Sequence, residues 1–170
     1  MTEVQQPTVT YLPPGAGETL WVLGDQVTFK ADGERAGLTL FVGTIPPGGG
    51  PPPHVHYQQE EAHFVLKGTF SFLNGDTWIA AEAGSFIFIP RGVMHAFRNT
   101  GSEPGRLVST NNLPGAHERW FRHVGVPITD SATFQPPTDV PDMADVLASA
   151  AQADIHFIPP EASGAGSAGQ

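Results

Sequence analysis

The 170-residue chain contains no cysteine. Disulfide cross-links and thiolate chemistry are therefore excluded, and cysteine usage says nothing about the redox state of a compartment. Charge is sparse as well: 15% of residues are Asp, Glu, Lys or Arg, and 8 basic residues face 17 acidic ones, for a formal net charge of −9. So acidic a chain repels polyanions, which argues against nucleic acid and anionic membrane surfaces as partners. No apolar run approaches the roughly 20 residues that span a bilayer. The first residues, Met1 to Pro7, lack the basic and apolar regions of a secretion signal. The expectation is a cytoplasmic protein. Long helices are not expected either, because 20 Gly and 17 Pro punctuate the chain too often.

What is present is a series of short apolar stretches separated by turn residues. Residues 20–30 form two such stretches around Gly24-Asp25, and residues 38–45 and 61–67 form two more. Residues 69–73 and 77–81 flank Asn74-Gly75-Asp76, a tight-hairpin sequence whose central residues tolerate positive φ. Residues 85–89 and 95–99 are joined by Pro90-Arg91-Gly92, and residues 107–110 close the series. This predicts an all-β jelly-roll barrel of roughly eight to ten strands. Two helices are expected at 117–124 and 143–153, packed outside the barrel. Asp142 is placed to cap the second, with Val146, Leu147 and Ala150 on one face. The expected organisation is an extended arm over 1–17, the barrel over 18–113, helices and an extension over 114–160, and a disordered Gly/Ser/Ala tail over 161–170.

The residues that carry chemistry follow a Gly/Pro loop at 46–53, which can be neither helix nor central strand. His54 and His56 are two apart and share one face of an extended segment. Glu61 offers a hard oxygen ligand, and His95 a third imidazole from another strand. Three histidines and a carboxylate suit one divalent transition metal (Fe, Mn, Ni, Co, Cu or Zn) and leave coordination positions open. Glu60 and Glu61 are adjacent, so strand alternation lets only one of them face the metal, and Glu61 is the better placed.

The spacing has the form of two blocks. Gly48 is followed after five residues by His54-Val55-His56, after four more by Glu61 and after six more by Gly68. After fifteen intervening residues, Gly84 is followed after five by Pro90-Arg91-Gly92, after two by His95 and after three by Asn99. This pair resembles the two signature motifs of the cupin superfamily, and implies a single double-stranded β-helix barrel with His54, His56, Glu61 and His95 as metal ligands. The stretch 90–97 and Pro114-Gly115-Ala116-His117-Glu118-Arg119-Trp120-Phe121 also resemble bacterial monocupins of the quercetinase (flavonol dioxygenase) type. That resemblance implies a dioxygenase cleaving a small enolisable aromatic substrate with O2, and Glu61 as the base that takes the substrate's proton. Two other readings remain open: a different metal-dependent cupin enzyme (isomerase, cyclase or lyase), and a cupin that binds metal or a small molecule without turnover.

His63 shares the face of Glu61, which suggests either a proton relay or a hydrogen-bonded interior residue. Phe41, Val65, Ile87 and Phe97 are the expected pocket lining, an apolar wall unsuited to highly charged ligands. Trp120, Phe121 and His123 read as packing residues; His117 and His156 suggest no function. A homodimer is expected, formed through the arm and an edge strand.

Overall fold

The computed structural model describes residues 9–159. The elements, in chain order, are β1 (Thr19–Val22), β2 (Asp25–Ala31), α1 (Gly33–Ala36), β3 (Thr39–Ile45), β4 (His54–Val55), β5 (Glu61–Lys67), β6 (Thr69–Asn74), β7 (Thr77–Glu82), β8 (Phe86–Ile89), β9 (His95–Asn99), β10 (Gly105–Asn111), α2 (Ala116–Val124), β11 (Val126–Pro127), α3 (Met143–Gln152) and β12 (His156–Phe157). The strands make two antiparallel sheets, a seven-stranded one in the order β11-β1-β2-β3-β10-β5-β8 and a five-stranded one in the order β12-β4-β9-β6-β7. This is the jelly-roll fold that the turn pattern predicts, with short helices.

Strand parity decides what faces inward. On β5, Glu61, His63 and Val65 are buried, whereas Phe64 and Leu66 point out and are 41% and 43% exposed. The alternation that turns Glu61 inward suggests that these outward residues pack against another element. Instead Phe64 pairs with Phe86, and Ala62 with Phe88, on a sheet face that nothing among the described residues covers. Inside, two apolar clusters divide the barrel. One joins Leu20, Val27, Phe29 and Phe41 to Trp120 and Phe121 of α2 and Val146 and Ala150 of α3. The other holds Ile45, Val65, Phe70, Phe72 and Leu107, with Ile87 and Phe97 against it.

The loop before β4 is fixed by backbone contacts. Gly48 N–H donates to the Asn99 carbonyl (2.8 Å), and Asn99 N–H to the Gly49 carbonyl (3.0 Å). Gly50 has a φ of 125°, and a Cβ there would lie 2.2 Å from the Phe97 carbonyl oxygen, so only glycine fits. Asn99 orients the next turn: its amide donates to the carbonyls of Ile45 (2.8 Å) and Glu103 (2.9 Å) and accepts from Gly101 N–H (2.9 Å).

The helices deserve three corrections. Asp142 does cap α3, accepting from the N–H groups of Ala144 and Asp145. Leu147, however, is 48% exposed, because the helix buries only the narrow stripe of Val146 and Ala150. His123 is not a packing residue; it is exposed and bonds Asp145 (2.8 Å). The small helix α1, capped by Asp32, was not anticipated. Nor was β11, which pairs with β1 at one edge of the seven-stranded sheet. Val9 and Tyr11 of the N-terminal arm are exposed. The rest of the arm, residues 1–8, and the tail at 161–170 lie outside the described residues.

Candidate metal centre

β4 and β9 pair so that His54 lies opposite His95, and β5 brings Glu61 from the facing sheet. His56 follows β4 directly. Each histidine donates its Nδ1–H to a backbone carbonyl: His54 to Pro52 (2.9 Å), His56 to Asp154 (2.6 Å) and His95 to Val93 (2.9 Å). With the proton fixed on Nδ1, Nε2 keeps its lone pair, the arrangement that metal-ligating histidines adopt. Glu61 Oε2 lies 3.5 Å from His56 Nε2 and 3.4 Å from His95 Nε2. One ligand atom from each of His54, His56, Glu61 and His95 falls within 4.8 Å of all the others, and all four residues are buried. Glu60, in contrast, faces out to Arg91 and Asn112.

The donor set fits a cation on its own terms. Nε2 of His56 and of His95 is sealed from solvent without a hydrogen-bond partner among the described residues. Buried polar atoms left unpaired are costly, and a divalent ion among them would satisfy both nitrogens and the carboxylate together. Burial pushes the Glu61 carboxyl up, but the imidazoles of His63, His56 and His95 beside it hold it well below the usual carboxylate range. Burial pushes His54 well below the usual imidazole value, with His95 and His56 adding to the effect. His56 is also lowered by burial, yet its contacts with Glu61 and Asp154 prevail and raise it.

Known proteins share this frame. The family model described as "Cupin domain" matches residues 41–111. Protein SchB of Streptomyces halstedii is 32% identical over 113 residues, which are 64% of this chain and 78% of SchB. The chain belongs to the cupin superfamily. Nectarin-1 of Nicotiana plumbaginifolia is 34% identical over 129 residues, 72% of this chain. This cupin spans about half the length of Nectarin-1 (51%) and a smaller share of a rice germin-like protein, 5-1 (34%). Among solved structures, a predicted oxalate decarboxylase of Thermotoga maritima superposes with a TM-score of 0.52 at 17% identity. The match covers 56% of this chain and 90% of that one, and it shows the shared fold.

In this cupin the cluster borders a partly open cavity of about 140 Å³. Its walls are largely apolar and include Phe41, Phe97, Trp120, Phe121 and Phe157, while exposed Leu23 and Pro52 mark the mouth. Of the expected lining, Phe41 and Phe97 are there. Val65 and Ile87 are not: their strand parity is inward, but Phe70, Phe72 and Phe97 fill that end of the barrel and draw both residues into the second cluster. α2 does more than cover the barrel, because Trp120 and Phe121 form part of the cavity wall.

His63 lines the cavity with Nε2 3.4 Å from Glu61 Oε2 and Nδ1 2.8 Å from Ser109 Oγ. Three residues were missed in the sequence. Asp154 accepts the N–H groups of Tyr57 (3.0 Å), Gln58 (2.7 Å) and Gln59 (3.1 Å) on its carboxylate while its carbonyl holds His56. Asp25 lines the cavity half-buried, and burial raises its carboxyl to about 7. His117 also lines the cavity, between Phe41, Phe121 and His56, and burial brings it down to about 4. The signal for Asp25 was available: it shares the strand parity of buried Val27 and Phe29. Nothing in the local sequence points to the other two.

Proposed function

We propose that this cupin is a metal-dependent oxygenase that acts with O2 on a small, mostly apolar molecule carrying an enolic or phenolic oxygen. The observation that carries the reading is the placement of a His54/His56/Glu61/His95 cluster at the wall of a largely apolar cavity. A divalent transition metal held by these four residues supplies Lewis acidity, which lowers the pKa of a coordinated hydroxyl. The protein does the rest. Glu61 accepts the hydroxyl proton at a carboxylate oxygen, and His63, in contact through Nε2, shares that proton while Ser109 holds its other nitrogen. Phe41, Phe97, Trp120 and Phe121 exclude water and stack on a planar ring.

Size narrows the substrate. A cavity of about 140 Å³ is close to the roughly 150 Å³ that accepts a benzene ring, and well below the roughly 300–1,000 Å³ of drug-sized sites. A single-ring enol or phenol fits inside; a three-ring flavonol fits only with two rings reaching through the mouth. Among the described residues the wall also offers no Arg or Lys to a phosphate. The uncovered face of Phe64, Leu66, Phe86 and Phe88 favours a homodimer. The test is metal analysis of the purified protein, followed by oxygen uptake over a panel running from single-ring enols to flavonols. Absence of bound metal refutes the reading; metal without oxygen uptake on any of the panel favours a cupin lyase or isomerase.

A further inference from the structure

The polar atoms that face the cavity are few, and most of them are already engaged. His54 and Glu61 belong to the ligand set, and His63 and Ser109 bond each other. His117 is different. Its Nδ1 is 2.9 Å from the side-chain amide Nδ2 of Asn111. Which end of that amide faces the ring is settled by the backbone: Leu113 N–H donates to Asn111 Oδ1 (3.3 Å), so the other end must be the NH2 group. An NH2 group can only donate, so Nδ1 of His117 accepts and carries no proton. The ring proton is therefore on Nε2. No described residue accepts a hydrogen bond from that nitrogen, although the ring is 4% exposed. The sheet register fixes the place of this device, because Asn111 is the direct cross-strand neighbour of Glu61 on the inner face, and the His117 ring packs 5.4 Å from that of His56.

We infer that His117 is a substrate-contacting residue whose Nε2–H donates a hydrogen bond to an oxygen of the molecule held beside the His/Glu cluster. This rests on the proposed function above and deepens it: the favoured substrates carry two neighbouring oxygens, one for the metal and one for His117. An α-hydroxyketone, a catechol or a small hydroxy acid has that pattern; a simple phenol does not. Asn111 acts behind it as a positioning residue that sets the tautomer.

Two measurements test the assignment. The first is a long-range ¹H–¹⁵N spectrum of the histidine-labelled protein loaded with Zn(II), compared with the His117→Gln spectrum to identify the resonance. Protonation at Nε2 is expected, and protonation at Nδ1 overturns the inference. The second is calorimetric titration of the Zn(II)-loaded protein with kojic acid, a single-ring hydroxyketone, and with phenol. His117→Phe preserves the aromatic packing but lacks the donor. It should weaken kojic acid binding roughly 2- to 10-fold, the worth of one hydrogen bond, and leave phenol binding and zinc content unchanged. His117→Gln, which retains an N–H donor, should recover part of the loss. Equal kojic acid affinity in wild type and His117→Phe overturns the role of His117 alone. Failure of the wild type to hold zinc overturns the metal reading itself, so the two failures are distinct.

Discussion

Asp154 offers the sharpest test of how the site is held together. It follows α3 at a φ of 61° and lies 2% exposed. Its carboxylate takes three N–H groups of the loop between His56 and Glu61, and its carbonyl takes the Nδ1–H of His56. Replacing it by Gly removes the carboxylate and keeps both the carbonyl and the left-handed backbone. Hydrogen bonds to a charged group contribute about 1.5–3 kcal/mol each. Tyr57 and Gln58 are exposed, so water replaces the acceptor for those two N–H groups, and the buried Gln59 N–H dominates. A loss of about 3 kcal/mol results. Relief of left-handed strain returns about 1 kcal/mol in the glycine variant. The net cost of about 2 kcal/mol lowers Tm by roughly 4–8 °C for a chain of this size. Metal affinity should fall as well, by less than the roughly 10- to 100-fold cost of losing a direct contact to a ligating histidine, because the carbonyl that holds His56 is kept. Thermal unfolding with and without Zn(II), together with a competition titration against a chelator, measures both. An Asp154→Gly protein with wild-type Tm and zinc affinity refutes the argument that this carboxylate orders the ligand loop.

Glu61→Gln should abolish turnover and weaken metal binding while Glu60→Gln leaves both nearly intact, since Glu61 faces the histidines and Glu60 faces Arg91; parallel metal and oxygen-uptake assays on the two variants check this, and the reverse result would mean a shifted strand register. Asp25 has a carboxyl raised from 3.8 to about 7 by burial, so its contribution to stability is fully present below about pH 4 and is lost as pH rises through about 7. Asp25→Asn should therefore be more stable than wild type at pH 8, by at most about 4 kcal/mol and by roughly half that once contact with solvent is counted, with the gap closing towards pH 4; urea titrations at the two pH values that show a constant gap would contradict the assignment. Light scattering should give twice the chain mass of 18.0 kDa, and Phe86→Ser with Phe88→Ser should return the single-chain mass; a wild-type monomer at micromolar concentration rules the dimer out.

The parts of this molecule that were legible in its sequence are those encoded locally. Asn74-Gly75-Asp76 links β6 to β7, and alternation along β5 separates Glu61 from Glu60, because turn chemistry and a two-residue period act between near neighbours. The same parity carried too far for Val65 and Ile87. Period tells which face a residue takes, but not whether the space before it is empty, and here Phe70, Phe72 and Phe97 occupy that space. Residues that act across long separations left no pattern. Asp154 reaches the His56 loop over some 98 positions, and its signal is a backbone angle, invisible in the letters. His117 reads as one more polar residue in an amphipathic helix. Its meaning depends on Asn111 six residues earlier, whose own orientation depends on the N–H of Leu113. The motifs thus account for the four side chains that could hold a metal, whereas the residues that support them and the donor proposed for a substrate come from segments outside both motifs. Relatives that share the ligand set can therefore differ in chemistry through residues equivalent to Asp25, Asn111 and His117, and substitution at those positions, with the metal retained, is where divergence of substrate choice is expected.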